Sequence, residues 1–218
     1  MNEHAVQFCY DWQMSLKLCF GILSLAVALV AYYFYFRNML HGNTKPHAFS
    51  WLVWGLLAGT GFFAQVSAHA GIGAWATGLT SLASLTIFCF ALKIGATHPR
   101  LFDWTLLSMA LLSLVLLFLV KSETAALWLT LLALVAGFAM NIRKAYKKPL
   151  EENATAFWLN ALKFAPAIVA LAHFTFLTVA YPLVAALGNV AVALVVQIRG
   201  GQSAFFKRLR HEPVEPLG

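Results

Sequence analysis

The sequence has very few charged residues for its length. Only 11% of its 218 residues are Asp, Glu, Lys or Arg, whereas a soluble domain carries about 25%. Hydrophobic residues make up 61% of the chain, so there are too few polar side chains to cover a soluble globule. This shortage excludes an ordinary soluble enzyme and a disordered chain, and it indicates an integral membrane protein.

Several patterns that mark catalysis or metal binding are also missing. The cysteines Cys9, Cys19 and Cys89 form no CxxC pair, and the histidines have no HxxH or HExxH spacing. We therefore expect no disulfide framework and no metal site. The sequence contains no P-loop, dinucleotide fingerprint or GxSxG motif, so it predicts neither a cofactor nor an enzyme. The net charge of +7 comes from short basic clusters between apolar runs, which set membrane topology and do not indicate nucleic-acid binding.

Apolar runs predict seven membrane-spanning helices. Each is close to the length of about 20 residues that a bilayer requires. Their approximate bounds are 18–36, 49–66, 75–92, 104–120, 124–142, 154–171 and 176–198. The stretch Ser67–Ala74 (SAHAGIGA) separates spans two and three, because its glycines break a long uncharged run.

Basic residues orient the predicted spans. They cluster after spans one, three, five and seven, including the run at 143–148 and the tail at 199–218. The positive-inside rule therefore predicts an N-terminus outside and a C-terminus in the cytoplasm. We expect a multi-pass protein of a bacterial inner membrane.

The chain contains a weak internal repeat. Spans one and two align without a gap on spans five and six, and Arg37 then aligns with Arg143. Polar loops of equal length follow the two arginines, RNMLHGNTKPH and RKAYKKPLEEN. The pattern predicts two parallel three-helix repeats, residues 1–92 and 122–198, joined by a linker helix within 93–121. The predicted fold class is therefore all-α and integral to the membrane, with spans in a 3+1+3 order.

This architecture, with the segments FRNMLHGNTKPHAFSWLVWGL and NIRKAYKKPLEENATAFWLNALKF, resembles the PQ-loop/SWEET superfamily of small membrane transporters. The Pro-Gln pair that names the PQ-loop proteins is absent from both repeats. The resemblance implies a small-solute facilitator that works by alternating access between two three-helix bundles. In SWEET-type transporters an asparagine on the third helix of a triplet and a tryptophan on the second flank the substrate, which implies these roles for Asn189 and Trp54.

The resemblance also bears on partners. The expected partners are the lipid bilayer and a small solute of unknown identity. Both repeats lie in one chain, so a second subunit is not needed to complete the pathway.

Polar side chains deep in a span are costly in lipid and are therefore candidates for a substrate site. Lys163 is the one charge within the predicted spans, and it lies roughly 13 Å from the cytoplasmic end of span six. Pro166 and Pro182 interrupt helical hydrogen bonding and are predicted hinges. The predicted substrate-binding residues are Trp51, Trp54, Ser84, Asn160, Lys163 and Asn189.

Each candidate also has a structural interpretation. The asparagines can hydrogen-bond across helices, Trp51 can anchor the chain at the membrane interface, and Gln65 can be a gate or a packing residue. Lys163 either stays neutral, held by Asn160 and the carbonyls near Pro166, or it faces a wet cavity and meets an anionic or carbonyl-bearing ligand. We favour the second interpretation, because an apolar residue would serve packing better.

Two other functions remain open from the sequence. One is a seven-helix receptor of the same fold that binds a ligand or cargo without passing it. The other is a structural subunit of a membrane complex.

Overall fold

The computed structural model describes residues 3–42, 46–94, 99–149, 152 and 154–209, and this part of the chain is all-helical. A short 3-10 helix, Gly71–Ala74, lies between the second and third α-helices. The α-helices are α1 (Glu3–Leu40), α2 (Ala48–Ser67), α3 (Trp75–Ile94), α4 (Leu101–Phe118), α5 (Glu123–Lys147), α6 (Ala154–Leu162), α7 (Phe164–Val169) and α8 (Phe176–Leu209).

Six of these helices are long and apolar enough to cross a membrane, namely α1, α2, α3, α4, α5 and α8. Large apolar side chains cover their outer faces: Leu82 is 65% exposed, Leu132 60% and Leu187 60%. Such faces suit lipid, because the hydrocarbon core of a bilayer solvates leucine at no cost. The chain is a multi-pass membrane protein.

Predicted span six differs from the other spans because it consists of two short helices. Together α6 and α7 cover Ala154–Val169, which at 1.5 Å per residue is about 24 Å, less than the roughly 30 Å of a hydrocarbon core. The break falls at Lys163, three residues before Pro166. A proline has no N–H for the carbonyl four residues earlier, and its ring crowds that turn.

Two helices extend beyond the predicted spans. Helix α1 begins at Glu3, well before the predicted start at Leu18, and α8 continues to Leu209, past the predicted end near Ile198. The first part of the basic tail is therefore helical.

Two of the helices each pack against two others. Helix α3 packs against both α1 and α2, and α8 packs against both α5 and α6. We call α1–α3 the first bundle and α5–α8 the second bundle. They meet where α1 packs on α6 and α7 and where α2 packs on α5, while α4 lies against α2 and α5.

The two ends of the structure differ in charge. The end at which α1, α3 and α5 finish, called here the basic end, carries Arg37, Lys93, Arg100 and Lys144. At the opposite end, α2 leads into α3 through a turn in which His69 and Gly71 have φ values of 53° and 69°. The Ala70 carbonyl in this turn accepts a hydrogen bond from the Ala172 N–H at 2.8 Å. A backbone contact therefore joins the two bundles at the opposite end.

Glycines allow the helices to approach closely. Gly55 of α2 lies against Leu85 of α3, and Ser81 Oγ donates to the Gly55 carbonyl at 2.8 Å. In α8, a Cβ added to Gly188 would lie 2.2 Å from Cδ2 of Phe138 in α5. Close packing of this kind stabilises helix pairs in lipid, where apolar burial supplies little driving force.

Gly188→Ala should lower the stability of the purified protein, because the added methyl group would also lie 2.5 Å from Cγ at the base of the Phe138 side chain. Overpacking of this kind costs about 1–3 kcal/mol of unfolding free energy. Gly201→Ala is the matched control on the same helix, since no atom lies within 4 Å of its added methyl group. Thermal unfolding in detergent measures both variants, and equal midpoints would contradict the close packing of α5 on α8.

Candidate functional site

Lys163 lies at the break between α6 and α7, with its side chain inside the protein. Its exposed fraction is 1%, and it is one of the largest fully buried side chains in the described part of the chain. Ser24 of α1 donates from Oγ to the Lys163 carbonyl at 2.6 Å. The first bundle therefore supplies a hydrogen bond to the backbone at the point where the second bundle breaks its helix.

The Lys163 ammonium group has two neutral hydrogen-bond partners. Nζ donates to Asn160 Oδ1 at 2.8 Å and to the Tyr32 hydroxyl at 3.1 Å. It also lies 4.7 Å from the centre of the Tyr32 ring and 5.0 Å from that of Phe164, distances at which aromatic rings attract a cation. We call Tyr32, Asn160, Lys163 and Phe164 the lysine site.

No carboxylate balances the charge of Lys163 among the described side chains. Asp103 accepts a hydrogen bond from the Arg100 N–H at the start of α4. Glu123 lies in the first turn of α5, and Glu152 pairs with Lys144. A lone cation at the centre of a bilayer costs roughly 2.5–3.5 kcal/mol on insertion scales, and the neutral partners offset part of that cost. The described side chains therefore supply no negative charge to balance an ammonium group at Lys163.

A second tyrosine lies beside the lysine site. Tyr181 of α8 is 2% exposed, and its ring centre lies 6.3 Å from that of Phe164. Its ring rests on the backbone of α2, where a Cβ added to Gly61 would lie 2.6 Å from the ring. Residues of α1, α2, α6, α7 and α8 thus meet around Lys163.

The predicted asparagines have different surroundings. Asn160 Nδ2 donates to the Ala156 carbonyl in its own helix at 2.9 Å, while its Oδ1 accepts from Lys163. Asn189 Nδ2 donates to the Ala185 carbonyl, again in its own helix, at 2.8 Å. Asn160 belongs to the lysine site, whereas Asn189 has no hydrogen bond to Lys163.

The predicted tryptophans form separate aromatic pairs. Trp51 Nε1 donates to the Tyr35 hydroxyl at 3.1 Å, so this tryptophan joins α2 to α1 inside the first bundle. Trp54 packs on Phe138 of α5 with ring centres 5.2 Å apart, and so lies between the bundles. Ser84 is buried on α3, with 1% of its surface exposed.

Pro182 and Gln65 are linked through one carbonyl. Pro182 lies inside α8 and offers no N–H to the carbonyl of Thr178, four residues earlier. Gln65 of α2 donates from Nε2 to that carbonyl at 2.8 Å. Gln65 has an exposed fraction of 0%, and its Oε1 has no hydrogen-bond partner among the described residues. The other predicted hinge, Pro166, is buried in α7.

Four residues at or beside the lysine site were not predicted, namely Tyr32, Phe164, Ser24 and Tyr181. Tyr32 lies in an aromatic run of a kind typical of the membrane interface, yet it is 7% exposed and binds Lys163. A sequence signal exists for α1, where Gly21, Ser24, Ala28 and Tyr32 recur at spacings of three and four residues. They therefore share one helix face.

The chain was compared with protein-family models, with curated proteins and with solved structures, and none of the three comparisons gave a match.

Tyr32→Phe should destabilise the protein by about 1–3 kcal/mol, because the buried ammonium group loses one of its two hydrogen-bond acceptors. The same change in a Lys163→Met background should cost much less, since no cation remains to be satisfied. Tyr33→Phe is the control, because the neighbouring Tyr33 is 63% exposed. Thermal unfolding of the single and double variants in detergent measures the coupling, and equal costs in both backgrounds would contradict it.

Proposed function

We propose that the chain is a small-solute transporter in which the two bundles move against each other around the lysine site. The observation that supports this most is Lys163, a buried cation without a carboxylate partner among the described side chains, at a helix break between the bundles. Ionisable side chains inside a membrane protein are costly, and they commonly mark the path of a solute or an ion. A purely structural lysine would cost stability without any compensating function.

The packing of the helices supports a 3+1+3 arrangement of parallel repeats. Exchanging α1 with α5, α2 with the pair α6–α7, and α3 with α8 maps each described helix contact within one bundle onto a contact in the other. The same exchange maps the contact of α1 with α6–α7 onto that of α5 with α2. This pattern is expected of two copies related by an axis along the membrane normal, with α4 as the linker. It agrees with the resemblance to the PQ-loop/SWEET superfamily.

The hydrogen bonds between the bundles support a state in which the opposite end is closed. Near mid-height, Lys163 bonds to Tyr32 and Ser24. At the opposite end, the Ala172 N–H donates to Ala70, and Lys17 Nζ donates to the Ala172 carbonyl at 3.0 Å. Toward the basic end the bundles pack through apolar side chains, among them the aromatic pair of Trp54 and Phe138. We therefore infer a state that is closed at the opposite end.

The bond between Gln65 and the Thr178 carbonyl is suited to be a reversible latch. It satisfies a carbonyl that Pro182 leaves without a helical donor, but it leaves Gln65 Oε1 without a partner among the described residues. A buried polar atom without a partner costs about 1–3 kcal/mol. The closed state carries this cost, and part of it is recovered if the latch opens and Gln65 Oε1 meets water. Pro182 provides a flexible point in α8 for this opening.

The charge distribution supports the orientation. The basic end is proposed to face the cytoplasm, with the N-terminus outside, in a bacterial inner membrane. A solute would then enter or leave the lysine site on the cytoplasmic side in the state that is closed at the opposite end.

Lys163→Met should remove transport while the protein still folds, because methionine is unbranched, is only one atom shorter than lysine and lacks the ammonium donor. Lys163→Arg should also impair transport, since a planar fork does not reproduce the donors of an ammonium group in a tight site. The measurement is the time-dependent uptake of solutes from a defined metabolite mixture into vesicles that contain the purified protein, with mass-spectrometric detection.

Lys93→Met is the matched control, because Lys93 is an exposed lysine at the basic end of α3. It should transport as the wild type does, and thermal unfolding of all variants reports on folding. Normal uptake by a folded Lys163→Met variant would contradict the proposed site. Equal uptake by wild-type and empty vesicles would contradict transport.

A further inference from the structure

We infer that the solute bound at the lysine site is a small monocarboxylate with a short apolar chain, an inference that rests on the proposed function. Three features of the surroundings of Lys163 support this inference: the charge, the hydrogen-bond donors and the aromatic rings.

The charge of the lysine site determines which net charge of the solute is favoured. The site holds one cation, and among the described side chains the acidic residues Asp103, Glu123 and Glu152 are engaged at helix ends or lie there. In a medium of low dielectric constant, a cation and a monoanion together are far easier to bury than either alone. A dianion would leave one charge unbalanced, and a cation would be repelled by the ammonium group.

The donors select a carboxylate among monoanions. Lys163 Nζ and the Tyr32 hydroxyl are 3.1 Å apart, so they can address two oxygens of one planar group. The Tyr32 hydroxyl accepts from the lysine and therefore keeps its own hydrogen to donate. Asn160 Oδ1, 2.8 Å from Nζ, occupies the position that a carboxylate oxygen would take. Asn160 is thus an internal substitute for the solute, and a charged acceptor would bind the ammonium group more strongly than this amide does.

The aromatic rings determine which chain attached to the carboxylate of the solute fits. The Phe164 ring centre lies 5.0 Å from Lys163 Nζ, and the ring packs edge to face with that of Tyr181, so that both rings offer apolar surface. Close packing of Tyr181 on Gly61 limits the room beside them, so the chain attached to the carboxylate is short.

The test is ligand-dependent stabilisation of the full chain in detergent, measured as the thermal midpoint at constant ionic strength. Sodium propanoate replaces sodium chloride in steps, propanamide is the neutral probe of the same shape, and decanoate is the lipid-like probe. Propanoate should raise the midpoint saturably, because a ligand that binds the folded state stabilises it by mass action. Propanamide should bind at least about tenfold more weakly, since it cannot make the charge-assisted bond.

Two variants at the site and one control variant connect the response to the site. Lys163→Met should lose the propanoate response, whereas Lys93→Met should keep it. Asn160→Asp should lose it as well, because an internal carboxylate then neutralises Lys163, and this variant should be at least as stable as the wild type. Retention of the wild-type response in Asn160→Asp would overturn the inference.

Other outcomes separate this inference from the proposed function. A Lys163-dependent response to propanamide equal to that of propanoate would overturn the monocarboxylate and leave the transport site standing. A response to decanoate without one to propanoate would identify a lipid ligand, and no response to any carboxylate would overturn the inference. Vesicle uptake that does not depend on Lys163 would instead contradict the proposed function itself.

Discussion

The structure depends on the way in which one buried cation is satisfied without a carboxylate. Lys163 Nζ is held by the hydroxyl of Tyr32 and the amide oxygen of Asn160, with 1% of the residue exposed. One of these partners belongs to the first bundle and the other to the second. The hydrogen bonds of the ammonium group therefore fix where α1 lies against the broken helix of α6 and α7.

The second bundle also depends on the first through backbone carbonyls that lie near the irregular points of its helices. In α8, Pro182 leaves the Thr178 carbonyl without a helical donor, and Gln65 of the first bundle replaces it. At the break before Pro166, Ser24 of the first bundle donates to the Lys163 carbonyl. Polar side chains of one bundle thus donate hydrogen bonds to backbone carbonyls of the other. In lipid no water is available to supply such bonds.

The helical class and most of the membrane segments could be predicted from the sequence. Uncharged runs of about 20 residues have few alternatives to a membrane helix, and six helices of the structure have that character. For span six the sequence predicted only a hinge at Pro166 and not a break in the helix. Sequence alone does not determine whether a proline bends a helix or divides it. The helical extensions of α1 and α8 lie beyond the apolar runs, where the hydropathy pattern carries no information.

The candidate site could be predicted in part. Lys163 and Asn160 were found because a polar residue inside an apolar run is conspicuous, and their spacing of three residues places them on one helix face. Tyr32 begins the aromatic run YYFYF, a pattern typical of the membrane interface, and only the packing of α1 against α6 and α7 turns it inward. Contacts between distant helices, such as that of Gln65 with Thr178, have no signature in a single sequence.

The most direct test of the account is side-specific labelling of Asn160→Cys by a small charged thiol reagent, in protein whose own cysteines are replaced by serine. Lys147→Cys at the basic end and Ser67→Cys at the opposite end, both exposed positions, define the two sides. The account predicts that position 160 is labelled from the side of Lys147, and that Gln65→Leu, which removes the latch, adds labelling from the side of Ser67. Gln13→Leu, at an exposed glutamine, should not add it. Labelling of position 160 from neither side, or no effect of Gln65→Leu, would contradict the account.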